Sequence, residues 1–175
     1  MIEPSGVQWC GRFPTSNALT DLVQPFQDNV VAFIAALRAA GASVEISATY
    51  RPAERAYLMH WCWQIATGAV APADVPPIAG VDIDWTHDGN MEAARTAAIL
   101  MKHEYGMAHV AELISRHTQR RAIDMTIRFQ GAIQVRTRHG TLAAAACLTD
   151  LIAVGRSYGV IKLESDPPHW SDDGH

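Results

Sequence analysis

The sequence predicts an α+β fold, a single domain in which a small antiparallel sheet is flanked by helices. Helical and alternating apolar patterns are interspersed without a regular strand–helix–strand rhythm, which disfavours a doubly wound parallel sheet. The 175 residues suit one domain at about 150 residues apiece. Hydrophobic residues make up 49% and charged residues 18% of the chain, against a usual charged share of about 25%, so a packed core is expected rather than disorder.

Residues 1–19, rich in Pro, Ser, Gly and Asn, read as an irregular lead-in to a domain over 20–175. Leu22, Phe26, Val30, Phe33, Ile34 and Leu37 recur at helical spacing up to Gly41, with Pro25 suited to the first turn. Ser43 to Tyr50 alternates Val44, Ile46 and Ala48 against Ser43, Glu45 and Ser47, the pattern of a half-buried strand. Pro52 and Glu54 open a second helix running to Gly68, in which Tyr57, Trp61 and Ile65 form a core stripe. Residues 69–90 read as a long surface excursion, and its Asp82, Asp84 and Asp88 as a solvated loop, since the distal glutamate of a calcium loop is missing. Asn90 can cap a third helix through Tyr105, stopped by Gly106. Ala122 to Ile127 alternates as a strand, with Ile133 to Arg136 as its expected hairpin partner. Thr141 to Val154 is predicted as a last long helix closed by Gly155, and Val160 to Leu163 as a final short strand.

Charge narrows the partners. With 14 basic and 18 acidic residues, a net −4, no phosphate-tracking surface is expected, and nucleic acid is excluded as a partner. Apolar runs fall far short of the roughly 20 residues that span a bilayer, so membrane insertion is not expected. Met1-Ile2-Glu3-Pro4-Ser5 places an acid and a proline where a secretory signal carries basic residues, predicting synthesis in the cytoplasm without a signal peptide. Cys10, Cys62 and Cys147 form no metal or redox pattern and read as buried thiols.

Two segments carry candidate chemistry. In Ser115-Arg116-His117-Thr118-Gln119-Arg120-Arg121-Ala122-Ile123-Asp124, the strand phase puts Ile123, Met125 and Ile127 on one face and Asp124 on the other. His117 lies on the loop just before, so an imidazole and a carboxylate, both ordinary zinc ligands, can converge. In Glu164-Ser165-Asp166-Pro167-Pro168-His169-Trp170, two prolines favour polyproline geometry at three residues per turn. Asp166 and His169 would then project the same way. The set offers three zinc ligands, an open position and a nearby base, as hydrolysis on zinc needs. Glu164 is the rival base. His60, His87, His103, His109 and His139 fall outside the pattern and read as surface or core residues.

The combination S-x-H-x-x-x-x-A-x-D, then D-x-x-H, resembles the zinc peptidases that include D-alanyl-D-alanine carboxypeptidases, vancomycin-resistance dipeptidases and phage L-alanyl-D-glutamate endolysins. The hedgehog signalling domain is a fold relative of that family. The resemblance covers roughly residues 47–170 and implies a hedgehog/DD-peptidase-like fold. It implies Zn2+ on His117, Asp124 and His169, with Asp166 as general base. Ser47-Ala48-Thr49-Tyr50-Arg51-Pro52 resembles the family's S-x-Y-R-[SP] context, which implies that Arg51 steadies the carbonyl oxygen or a substrate carboxylate and that Tyr50 lies beside substrate. Ser115 supports the site in the family motif. The family glycine is Arg120 here, so a differently shaped loop is expected, with Arg120 and Arg121 candidate contacts for an acidic stem peptide.

The expected function is thus zinc-dependent hydrolysis of an amide bond in a peptidoglycan stem peptide, by an endopeptidase acting in cell lysis or as an antibacterial effector. Alternatives are a D-alanyl-D-alanine carboxypeptidase or dipeptidase, and a non-catalytic zinc-containing module that binds peptidoglycan. Action at the cell wall without a signal peptide requires a phage holin or a secretion machine, and an effector so delivered has an immunity protein as a further partner.

Overall fold

The computed structural model describes residues 2–175. In chain order its elements are β1 (Glu3–Pro4), α1 (Phe26–Ala39), β2 (Ser43–Ala48), α2 (Ala53–Thr67), β3 (Ile83–Asp84), α3 (Met91–Glu104), β4 (Ala122–Arg128), β5 (Ile133–Arg136), β6 (Leu142–Ala145), α4 (Leu151–Ser157), β7 (Ile161–Lys162) and β8 (His169–Ser171). The class is α+β, as the mixed periodicities predict. The chain forms two compact units, one from the segments up to Pro14 and from Pro52 to Ser115, the other from Thr15–Arg51 and Arg116–His175.

In the first unit α2 and α3 bury Tyr57, Leu58, Cys62, Ile65, Ala98 and Met101 together with Trp9, Val81 and Trp85. Asn90 caps α3 as predicted, its Oδ1 accepting from the Ala93 N–H at 3.1 Å, and Gly68 ends α2 in the left-handed conformation at φ 75°. Residues 69–90 are tied down more firmly than a surface excursion, because β3 pairs parallel with β1 and Val81 and Trp85 are buried. The same pairing, with Trp9 and Cys10 in the core, gives structure to the lead-in. Asp84 is occupied in a turn, accepting from the Thr86 N–H at 2.8 Å and hydroxyl at 2.6 Å, and the acidic loop gathers no metal-ligand group among the described residues.

The second unit is built on an antiparallel sheet in the order β2-β4-β8-β7. One face of β4 (Ile123, Met125, Ile127) and Trp170 of β8 pack against Phe26, Val30, Phe33, Ile34 and Leu37 of α1. The rings of Phe33 and Trp170 lie 5.4 Å apart. The opposite face of β4 is left to Asp124.

Two predicted elements differ. β5 pairs with β6, Ile133 opposite Ala145 through Arg136 opposite Leu142, and not with β4. Leu142 to Ala145 is therefore strand, although leucine and alanine favour helices, because ladder pairing outweighs local propensity. The helix begins only after Asp150, whose carboxylate accepts from the N–H groups of Ala146 and Cys147. Gly155 lies inside α4 instead of closing it. A Cβ there would stand 2.6 Å from the Trp170 ring and 2.7 Å from the Val160 carbonyl oxygen, so the glycine permits close approach of α4 to β8.

Cys147 is exposed, contrary to expectation, whereas Cys10 and Cys62 are buried. Burial pushes the Cys62 thiol up to about 12 and suppresses the reactive thiolate. Alkylation of the native protein at mildly basic pH should add a single adduct, at Cys147, with the other two thiols reacting only after denaturation. Intact-mass spectrometry reads the count, and rapid modification of Cys62 in the native state would refute the assignment.

Candidate metal centre

Sheet register makes the first ligand pair. Asp124 of β4 stands directly opposite His169 of β8, and directly paired residues project to the same face with Cβ atoms about 5 Å apart. Ile123 opposite Trp170 anchors the other face in the core. His169 Nδ1 lies 3.1 Å from Asp124 Oδ1.

His117 reaches the same oxygen from the preceding loop, its Nε2 3.0 Å away. That loop is fixed by its backbone: the His117 carbonyl accepts from the N–H groups of both Arg51 and Arg120 at 3.2 Å. Arg120 sits at φ 62°, the left-handed region that favours glycine. Arginine therefore stands here with a backbone conformation that glycine adopts most readily. Its guanidinium stacks 4.3 Å from the centre of the Tyr50 ring.

The three donor atoms lie within 4.8 Å of one another. His117 and His169 are 4% and 7% exposed, and the Asp124 side chain 20%. Each imidazole has its second nitrogen on a backbone oxygen: His117 Nδ1 donates to Thr49 O at 3.3 Å, and His169 Nε2 to His175 O at 3.0 Å. With those N–H groups so committed, both remaining nitrogens of neutral rings present lone pairs to a carboxylate oxygen. Three converging lone pairs need positive charge among them. A divalent cation supplies it without asking two neighbouring rings to carry protons at once, and two nitrogens with a carboxylate oxygen can hold such an ion. Carbonyl-anchored second nitrogens are the usual companions of metal-binding histidines.

Where protons rather than an ion lie between the rings and the carboxylate, burial disfavours the Asp124 charge, but hydrogen bonds from His117 and His169 and their pull overcome it and hold the carboxyl well below the usual carboxylate range. Burial likewise lowers His169, and its bonds to Asp124 and the His175 oxygen reverse this and raise it above the ordinary histidine value.

Thr49 owes its place to an irregularity in β2. The register with β4 shifts between Ile46 and Ala48, and such bulges re-aim a strand. Thr49 is fully buried, its N–H bonded to Ser16 O at 2.7 Å and its hydroxyl to Ala18 O at 2.9 Å.

The segment before His169 is not the predicted polyproline helix. It is a pair of turns, with Asp166 N–H to Leu163 O at 3.2 Å and His169 N–H to Asp166 O at 3.1 Å. Lys162 Nζ donates to the carbonyls of Leu163, Asp166 and His169 and holds the turns closed. Asp166 and His169 are the ends of one β-turn, which keeps their Cα atoms within about 7 Å. The two residues thus stay close through a different geometry. Asp166 is exposed and acts electrostatically on both His169 and Lys162.

Arg51 is half-buried at the end of the strand segment, one residue before Pro52, which caps α2. Ser115 is half-buried just ahead of Arg116. Sequence reasoning missed the Thr49 and His175 carbonyls, because backbone oxygens carry no residue-type signal. Comparison of the chain with family models, curated proteins and solved structures finds no match.

Proposed function

We propose that this protein is a zinc-dependent peptidase that hydrolyses an amide bond of a peptidoglycan stem peptide, as an endopeptidase of cell lysis or an antibacterial effector. The observation that carries the reading is the convergence of His117 Nε2, Asp124 Oδ1 and His169 Nδ1, both rings anchored on backbone carbonyls. The choice of peptide substrate rests on the resemblance of the two motifs and the Tyr50-Arg51 segment.

Zinc held by these three atoms would act as a Lewis acid toward a substrate carbonyl and make a water acidic near neutral pH. Asp166 takes the proton as water oxygen bonds to the amide carbon, then returns it to the departing amine as the C–N bond breaks. Its exposure leaves the carboxylate open to the incoming peptide. Arg51 stabilises the developing oxyanion, an interaction worth about 3 kcal/mol per well-placed donor. Arg120, exposed and stacked on Tyr50, offers a cation to an acidic peptide. The exposed carboxylate of Asp166, in the turn that leads into His169, supports hydrolysis over a module that only binds peptidoglycan, which needs no base.

Incubation of the zinc-loaded protein with purified muropeptides, read by mass spectrometry, tests the reading and names the bond. New fragments that together gain one water, and that vanish with a chelator, are the expected result. Intact muropeptides and stem peptides after exposure to fully metallated protein would overturn it.

A further inference from the structure

We propose that Arg116 and Asp173 form a clasp that positions the metal centre, by holding Ser171–His175 so that the His175 carbonyl fixes the His169 ring with Nδ1 directed to the ion. The inference rests on the metal-centre reading above.

A histidine on a strand can carry its proton on either nitrogen, and the carboxylate beside it invites the wrong choice. With nothing on Nε2, the neutral ring gains most by placing its proton on Nδ1 and donating to Asp124 Oδ1, which blocks the nitrogen a metal requires. An acceptor on Nε2 reverses that preference. In this chain the acceptor is His175 O, at 3.0 Å.

The segment that delivers this oxygen is built for position. Asp173 Oδ1 accepts from the His175 N–H at 3.2 Å and from the Ser171 hydroxyl at 3.3 Å, and Ser171 Oγ accepts from the Gly174 N–H at 2.7 Å. Gly174 takes φ 88°, a conformation other residues rarely adopt. The Arg116 fork grips Asp173 in two places, Nε to Oδ1 at 3.0 Å and Nη2 to Oδ2. Its Nη1 donates to Gln119 Oε1 at 2.7 Å. Arg121 holds the neighbouring Asp172 at 3.3 Å, and the Asp172 N–H donates to Arg121 O at 3.1 Å. The loop that presents His117 therefore also restrains the segment that orients His169, and two ligands share one brace.

Ion pairs this accessible add little to overall stability, so breaking the clasp should leave the fold intact and act on the metal. Zinc affinity, measured by chelator competition, should fall about 10- to 100-fold in Arg116→Ala and in Asp173→Asn, with circular dichroism of the apo-protein unchanged. Nitrogen-detected NMR of the apo-protein should find His169 protonated at Nε2 in the wild type and shifted toward Nδ1 in Arg116→Ala. Affinities within twofold of wild type in both single variants would overturn the clasp while leaving the metal centre standing. If the wild type itself holds no zinc, the metal-centre reading fails, and an unaltered His169 tautomer in Arg116→Ala would reject the clasp separately.

Discussion

Replacing His117 by alanine should abolish the proposed zinc binding and peptidase activity together. The imidazole supplies one of three donors, and its ring is locked between Thr49 O and Asp124 Oδ1, so no neighbouring side chain can take over. Ligand linkage sets the scale: zinc at a thousand times its dissociation constant stabilises the folded wild type by about 4 kcal/mol, and the variant should show none of this rise. The orphaned partner adds to the loss, because the buried Thr49 carbonyl loses its donor at a cost of about 1–3 kcal/mol. Elemental analysis should find one equivalent of zinc in the wild type and almost none in His117→Ala, with a melting temperature indifferent to added metal. Full zinc occupancy in the variant would move the ion to other ligands and remove the basis of the proposed chemistry.

The second large effect concerns the proton. Asp166→Ala should retain zinc and the wild-type fold yet lose turnover by about 100- to 10,000-fold, the usual worth of a general base. The side chain is exposed and lies outside the three-ligand group, so its removal should disturb neither packing nor metal affinity. Glu164, exposed in the same turn region, is the internal control: Glu164→Gln should turn over close to wild type. If instead Glu164→Gln is the dead variant, the base has been misassigned.

The centre was more legible in the sequence than the fold around it. The alternation of β4 alone puts Asp124 opposite its apolar face, and Trp170 in register with Ile123 carries His169 to that same polar side. The segment from Asp166 to His169 is a turn and not the polyproline helix that its two prolines suggest. The closing force is Lys162 gathering three carbonyls, a tertiary contact that composition does not advertise. The Leu142–Ala145 segment misled for a related reason, since an alanine-rich run reads as helix until a partner strand claims its backbone. Residues 171–175 gave no motif at all, because what they contribute to the centre is a carbonyl oxygen.

The hydrogen bond from Arg51 N–H to His117 O has a consequence for how such a protein can change over time. It joins the two points of one unit at which the chain departs at Pro52 and comes back at Arg116, so the closure that places His117 is made by that unit's own backbone. Point changes at exposed positions between 52 and 115 therefore need not alter it.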